Sequence, residues 1–224
     1  MKAIIFDWDL TLWNSWDIHV RLMRRTADAL GLPRPEEAAI GRQYHRPFFQ
    51  HLAWFFHGDQ EKVLDTYMGF YLKSVSSAGG LYPGVAETLS DLKARGHLLA
   101  VFSDKRRAFG ESELDQTGIG PLLDYALFLE DGRPYKPDPE GLLQVLKALE
   151  VSPSEAMYVG DGRQDMECAQ RAGVMSGAAL WGSVDREELL VLRPAYRWDR
   201  VEQVLHTLEQ EFPRPAGPAS ETLE

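Results

Sequence analysis

Apolar and polar residues follow two rhythms along this chain, and each rhythm predicts a different kind of secondary structure. Short apolar runs at residues 2–6, 98–102, 125–129, 156–159 and 177–181 are typical of strands buried on both faces of a parallel sheet. Between such runs, apolar residues recur at every third or fourth position, as they do on amphipathic helices. Because strands and helices alternate beyond the first third of the chain, the pattern predicts an α/β fold with a doubly wound parallel sheet.

Residues 16–79 follow only the helical rhythm. Apolar residues recur at spacings of three and four from Trp16 to Leu30, Gly31 ends that helix, and Asp59 is a candidate N-cap for a later one. A run of small residues at 76–80 suggests a hinge back to the strands. The predicted organisation is an α/β core of residues 1–15 and 80–211, an inserted helical module of residues 16–79, and a disordered, Pro-rich tail of residues 212–224.

Composition narrows the class of protein. The 224 residues are 44% hydrophobic and carry a formal net charge of −10, which argues against nucleic acid or an anionic membrane as the main partner. No apolar run approaches the roughly 20 residues of a membrane span, and the first strand begins without a signal-peptide hydrophobic region. The sequence therefore predicts a cytoplasmic protein, a monomer or homodimer, whose single cysteine, Cys168, packs inside a helix.

Polar residues collect where the predicted strands end. They are Asp7 and Asp9 after the first strand, Ser103 after the second, Asp161 and Asp165 after the fourth, and Lys136 shortly before a helix. The carboxyl ends of parallel strands share one edge of the sheet, which is where such folds bind ligands. Together these side chains supply ligands for a hard metal ion, a carboxylate nucleophile, a hydroxyl donor and a cation, which are the groups that phosphoryl transfer needs.

The same residues form four motifs in a fixed order. They are Asp7-Trp8-Asp9-Leu10-Thr11, Ser103 at a strand end, Lys136 in Lys136-Pro137-Asp138-Pro139, and Gly160-Asp161-Gly162-Arg163-Gln164-Asp165. In these motifs and their order, over roughly residues 1–210, the chain resembles the haloacid dehalogenase superfamily, in particular its phosphoglycolate-phosphatase-like branch with a Rossmann-like core and a helical cap. One departure is Leu10, where most members carry glycine.

This resemblance implies a magnesium-dependent phosphatase that hydrolyses a small anionic phosphate monoester through an aspartyl-phosphate intermediate. Asp7 would attack phosphorus, and Asp9 would protonate the leaving oxygen and later deprotonate water. The resemblance also implies contacts to phosphate from Thr11, Ser103 and Lys136. It implies that Mg²⁺ is held by the side chains of Asp7 and Asp161 and the backbone carbonyl of Asp9, with Asp165 as an alternate or supporting ligand.

Three alternatives stay open at this stage. A hydrolytic dehalogenase of the same superfamily needs a carboxylate nucleophile but neither a metal nor an acid two residues later, so Asp9 and Asp161 speak against it. A sugar-phosphate mutase shares the core motifs, and a catalytically silent binding protein keeps the same fold.

Substrate specificity is expected to come from the helical cap. Its loop carries Arg42, His45 and Arg46, which are candidates to pair with a carboxylate or second phosphate at the far end of the substrate. Lys105 and Arg163 also follow strand ends, but we interpret both as solvated residues at helix starts.

Overall fold

A six-stranded parallel sheet forms the centre of the protein in a computed structural model that describes residues 1–44, 46–74 and 79–212. The strands are β1 (Ala3–Phe6), β2 (Leu98–Arg106), β3 (Tyr125–Leu129), β4 (Ala156–Gly160), β5 (Met175–Ala179) and β6 (Tyr196–Trp198). Their order in the sheet is β3-β2-β1-β4-β5-β6, and all neighbours are parallel. The predicted doubly wound parallel sheet is thus confirmed.

Ten α-helices within the described residues surround this sheet or pack beside it. They are α1 (Trp16–Leu30), α2 (Glu37–Gln43), α3 (Phe48–Phe55), α4 (Gln60–Ser74), α5 (Val85–Ala94), α6 (Arg107–Thr117), α7 (Glu140–Ala148), α8 (Arg163–Ala172), α9 (Arg186–Val191) and α10 (Glu202–Glu211). Among the described residues, none of the helices has the length and apolar character that crossing a bilayer requires.

Strand β1 fixes the place of the polar residues that follow it. All four of its residues are fully buried, because Ile4 and Phe6 pack under α5 and α10 while Ala3 and Ile5 pack under α7 and α8. β1 pairs with β2 on one side and β4 on the other, so the strand order reverses here. Ligands of open parallel sheets bind at this reversal, outside the carboxyl ends of the strands.

Helices α1 to α4 share a separate apolar cluster, which includes Ile18, Met23, Leu52 and Val63. Asp59 accepts a hydrogen bond from the backbone N–H of Lys62 at 3.1 Å, as expected of an N-cap. Residues 76–78 of the predicted hinge and 213–224 of the predicted tail lie outside the described residues, so the division into core, cap and tail stays a prediction.

Element boundaries differ from the sequence-based expectation where a polar residue or a short element hides the pattern. Strand β2 continues through polar residues to Arg106, which pairs with Leu129 beyond a shift in register. Helix α8 begins at Arg163, where the Asp165 carboxylate accepts from the backbone N–H of Gly162 at 3.0 Å and stabilises the first turn. The sequence did not reveal α9 and β6, which have six and three residues and are too short to show a period.

Candidate active site

The residues from the four motifs meet beside a cavity of about 510 Å³ at the carboxyl edge of the sheet. Asp7, Asp9, Ser103, Lys136, Asp161 and Asp165 line it. Thr11 lies next to them, since its Oγ1 donates to Asp161 Oδ1 at 3.2 Å. That donation occupies the single hydroxyl proton of Thr11, so the expected contact from Thr11 to phosphate stays a prediction.

Lys136 lies between two buried carboxylates. Its Nζ is 2.9 Å from Asp7 Oδ1 and 2.7 Å from Asp165 Oδ1. Burial alone lowers the pKa of an ammonium, but the charges of Asp165 and Asp7 outweigh burial here and raise the pKa of Lys136 well above its usual value. Lys136 therefore stays protonated and brings a permanent positive charge to the site.

Three acids form a group that fits a divalent cation. One side-chain oxygen from each of Asp7, Asp161 and Asp165 lies within 4.8 Å of the others, and all three residues are buried. Asp7 Oδ1 lies close to Lys136 Nζ but outside hydrogen-bonding geometry, so a buried carboxylate oxygen has no hydrogen bond. Burial raises the pKa of Asp7 to about 7 and that of Asp161 well above its usual value. A hard cation with oxygen ligands, such as Mg²⁺, would offset this crowding of charge.

Asp9 lies outside this acidic group and has a cation of its own. Lys105 Nζ is 3.0 and 3.3 Å from the two carboxylate oxygens of Asp9. The Lys105 side chain is only 10% exposed, so the interpretation of Lys105 as a solvated residue was wrong. The reason is that β2 continues past Phe102 and carries Lys105 to the cavity. Arg163, by contrast, is half-exposed and pairs with acids on its own surface.

Glu113 on α6 contacts both Lys105 and α4, one of the helices of the predicted cap. This buried carboxylate is 2.8 Å from Lys105 Nζ and accepts hydrogen bonds from Trp8 Nε1 at 2.7 Å and from Tyr71 on α4 at 2.5 Å. Burial raises the pKa of Glu113, and the charge of Lys105 opposes that rise. No sequence signal marked Glu113 as a site residue, since Trp8 and Tyr71 are 105 and 42 positions away along the chain.

Asp104 and Arg133 support the loop that carries Lys136. The Asp104 carboxylate accepts from the backbone N–H of Lys136 at 2.8 Å and from Arg133 Nη2 at 3.0 Å. Arg133 Nη2 also donates to the backbone carbonyl of Ser103 at 2.9 Å. These bonds connect the second and third motifs, and the sequence analysis missed both residues because neither belongs to a motif.

Leu10 makes the turn of the first motif without a glycine. Its φ is +60°, a left-handed conformation that L-residues other than Gly rarely adopt, and its side chain is fully buried. Its carbonyl oxygen packs against Gly182, where an added Cβ would lie 1.6 Å away. The buried side chain thus compensates for the strained backbone.

Leu10→Gly is therefore expected to lower the free energy of unfolding by about 1–4 kcal/mol. Loss of a buried leucine side chain costs about 2–5 kcal/mol, and relief of the strained φ returns only about 1 kcal/mol. Urea denaturation of both proteins measures the difference. Equal or higher stability of the variant would mean that backbone strain outweighs packing at this position.

The candidate cap residues lie in different environments. Arg46 lines the cavity, donates from Nε to Gln43 Oε1 at 2.6 Å and stacks 4.3 Å over the ring of Trp54. Arg42 is exposed and is not among the described residues that line the cavity. His45 lies outside the described residues. The cap loop thus brings one of its two described cations to the cavity.

The chain is similar to known proteins over most of its length. The family model described as haloacid dehalogenase-like hydrolase matches residues 4–179. A phosphoglycolate phosphatase of Aquifex aeolicus is 30% identical over 188 residues, or 82% of this chain and 87% of that protein. The pyrophosphatase PpaX of Bacillus velezensis is 26% identical over 206 residues, or 92% of this chain and 95% of that protein.

A solved structure supports the fold. The haloacid dehalogenase-like family hydrolase of Streptococcus pneumoniae superposes with a TM-score of 0.84 at 23% identity, covering 93% of this chain and 98% of that one. At this identity the likeness concerns the fold alone.

Proposed function

Because the chain belongs to the haloacid dehalogenase-like hydrolase family, we propose that it is a magnesium-dependent phosphatase acting on a small-molecule phosphate monoester. The membership inferred from the four motifs is confirmed by the family model. The observation that carries the proposal is the buried group of Asp7, Asp161 and Asp165 beside the protonated Lys136. Relatives named phosphoglycolate phosphatase and pyrophosphatase support a small phosphate compound as substrate.

In the proposed reaction the Asp7 carboxylate attacks phosphorus. The bond from Asp7 to phosphorus forms as the ester bond breaks, and Asp9 gives its proton to the departing alcohol oxygen. Asp9 then takes a proton from water, whose oxygen attacks the aspartyl-phosphate and releases inorganic phosphate and free Asp7. Ser103 and Lys136 stabilise the negative charge on the phosphoryl oxygens.

The acidic group would hold Mg²⁺ through Asp7 and Asp161, with Asp165 nearby. When bound, the ion offsets the repulsion between an anionic nucleophile and an anionic phosphate. Asp165 keeps Lys136 in place from the other side, since its Oδ1 contacts Lys136 and its Oδ2 accepts from Gly162.

Hydrolysis of p-nitrophenyl phosphate is accordingly expected to require added magnesium. A chelator should abolish turnover, and excess Mg²⁺ should restore it, because three crowded carboxylates bind phosphate poorly without a cation. The absorbance of released p-nitrophenolate measures the turnover. Turnover that persists in chelator would contradict the metal role. Halide release from chloroacetate, with no turnover of phosphate esters, would favour the dehalogenase alternative.

Lys105→Met is expected to lower kcat/KM for alkyl phosphates by about 10–100-fold, the strength of one charged hydrogen bond. Lys105 contacts both oxygens of Asp9 and so holds the group that protonates the leaving oxygen. The loss should be smaller for p-nitrophenyl phosphate, whose leaving group needs no proton. Lys93→Met, which breaks the ion pair with Asp124 instead, is the matched control. Equal losses on both substrates would mean that Lys105 does not act through Asp9.

A further inference from the structure

The cavity extends from the catalytic acids into the helical cap, where its wall becomes apolar. The cap helices and α6 contribute Ile18, Leu22, Phe48, Leu64, Met68 and Phe109 to this wall. The volume of about 510 Å³ lies within the range of roughly 300–1,000 Å³ found for pockets that hold drug-sized ligands. This is far more room than a phosphate with a two-carbon leaving group would fill.

Polar side chains in this wall bond mainly to one another. His19 contacts the Tyr67 hydroxyl through Nδ1 at 2.8 Å and His51 Nε2 through Nε2 at 3.1 Å. The other ring nitrogen of His51 lies 2.9 Å from the backbone carbonyl of Gln43. Burial, with His51 and Lys105 adding to it, lowers the pKa of His19 well below its usual value, so the ring is neutral. Both nitrogens of each imidazole are therefore engaged within the protein.

Cations that line the cavity are engaged as well, within the part of the chain that the structure describes. Lys105 and Lys136 contact the catalytic acids, and Arg163 pairs with Glu188. Arg46 stacks on Trp54, and Arg106 lies 3.8 Å from the exposed carboxylate of Asp131.

Acidic side chains in the wall of the cavity further disfavour an anionic leaving group. Asp185 and Glu188 line the same cavity. A carboxylate or second phosphate at the far end of a substrate would lose its hydration among the apolar side chains. It would gain Arg46 or Arg106 only by drawing that side chain away from Trp54 or Asp131. It would also meet Asp185, a carboxylate of the same sign.

We propose that the substrate of this site is a phosphate monoester with an extended apolar alkyl or aryl leaving group, which the apolar wall of the cap surrounds. This rests on the proposed phosphatase function and deepens it. The phosphate end binds at the acids and Lys136, and the leaving group lies along α1 and α4. Burial of each methylene contributes about 0.8 kcal/mol to binding in the transition state.

A series of primary n-alkyl phosphates from ethyl to octyl tests this proposal, because these alcohols have similar pKa values and differ mainly in apolar length. We expect kcat/KM to rise by up to about fourfold per methylene until the cavity is full. A flat series with measurable turnover would overturn the apolar leaving group while leaving the phosphatase intact. Absence of turnover on every ester, p-nitrophenyl phosphate included, would instead contradict the proposed function.

A second comparison pairs esters of equal chain length that end in a methyl group or in a carboxylate. The kcat/KM of the ester that ends in a methyl group should exceed that of the carboxylate ester by about tenfold or more, since an unpaired carboxylate is costly to bury. A preference for the carboxylate ester that Arg46→Ala abolishes would overturn the proposal and establish the cap loop as a reader of anionic substrates.

Helix α4 offers matched variants for both comparisons. Leu64 and Met68 line the cavity, whereas Leu72, one turn further along, is 63% exposed and is not among the lining residues. Leu64→Gln should flatten the chain-length series, and Met68→Lys should shift the preference towards the carboxylate ester. Leu72→Gln should leave both unchanged. Equal behaviour of all three variants would mean that this wall does not contact the leaving group.

Discussion

Asp7→Asn is expected to lower kcat for phosphate ester hydrolysis by about a thousandfold or more, because the change removes the proposed nucleophile and a proposed metal ligand together. The amide has nearly the shape of the carboxylate, so packing around β1 is preserved. Lys136 retains Asp165 as an anionic partner at 2.7 Å, and the loop that carries it should stay in place. This variant is therefore expected to lose turnover but to keep its fold.

Steady-state turnover of p-nitrophenyl phosphate at saturating magnesium measures the effect of Asp7→Asn, and urea denaturation checks its stability. The free energy of unfolding should not fall, since one of three crowded buried carboxylates is neutralised. Asp91→Asn, the same change at an exposed position of α5, is the matched control. Turnover of Asp7→Asn within tenfold of the unmodified protein would refute the assignment of Asp7 as the nucleophile.

Asp9→Asn should lower kcat/KM for alkyl phosphates by about 10²–10⁴-fold, the usual contribution of general acid–base catalysis. The N–H groups of an amide are too weakly acidic to protonate the departing alcohol oxygen. The loss in kcat/KM should be smaller for p-nitrophenyl phosphate, whose leaving group needs no proton. The constant kcat/KM reports only the steps up to release of the alcohol. Hydrolysis of the proposed aspartyl-phosphate, in which Asp9 would also take part, would appear in kcat instead.

Combination of Asp9→Asn with Lys105→Met separates two explanations of the Lys105 effect. If Lys105 acts only through Asp9, the double variant should be no slower than Asp9→Asn alone. Additive losses would show that Lys105 contributes to turnover by a separate route, for example through its contact with Glu113. Glu113→Gln, measured beside these variants, tests that route directly.

The parallel sheet and the place of the motifs could be predicted because both depend on local patterns. A fully apolar β1 must be buried on both faces, which places it inside the sheet. Polar residues directly after β1, β2 and β4 then have to meet at one edge, whatever the loops between them do. The gathering of Asp7, Ser103 and Asp161 therefore follows from the sequence and a general property of parallel sheets.

The partners of those residues depended on tertiary structure. Lys105 follows a strand whose apolar run ends at Phe102, so its sequence resembles a solvated helix start. Backbone pairing across the register shift extends β2 and turns the residue inward. Glu113 has no local signal, because Trp8, Tyr71 and Lys105 reach it from three separate segments.

The character of the substrate pocket was also decided by packing. Arg42 and Arg46 are four positions apart, and the sequence predicts one loop and one role for both. In the structure α2 ends at Gln43, so Arg42 lies on the last turn of that helix. Only the fold places Arg46 at the cavity and leaves Arg42 exposed. The sequence determined which chemical groups reach the edge of the sheet, since strand periodicity is local. Side chains from distant segments determined which charges stay free for a ligand, since pairing and burial arise only when the chain is folded.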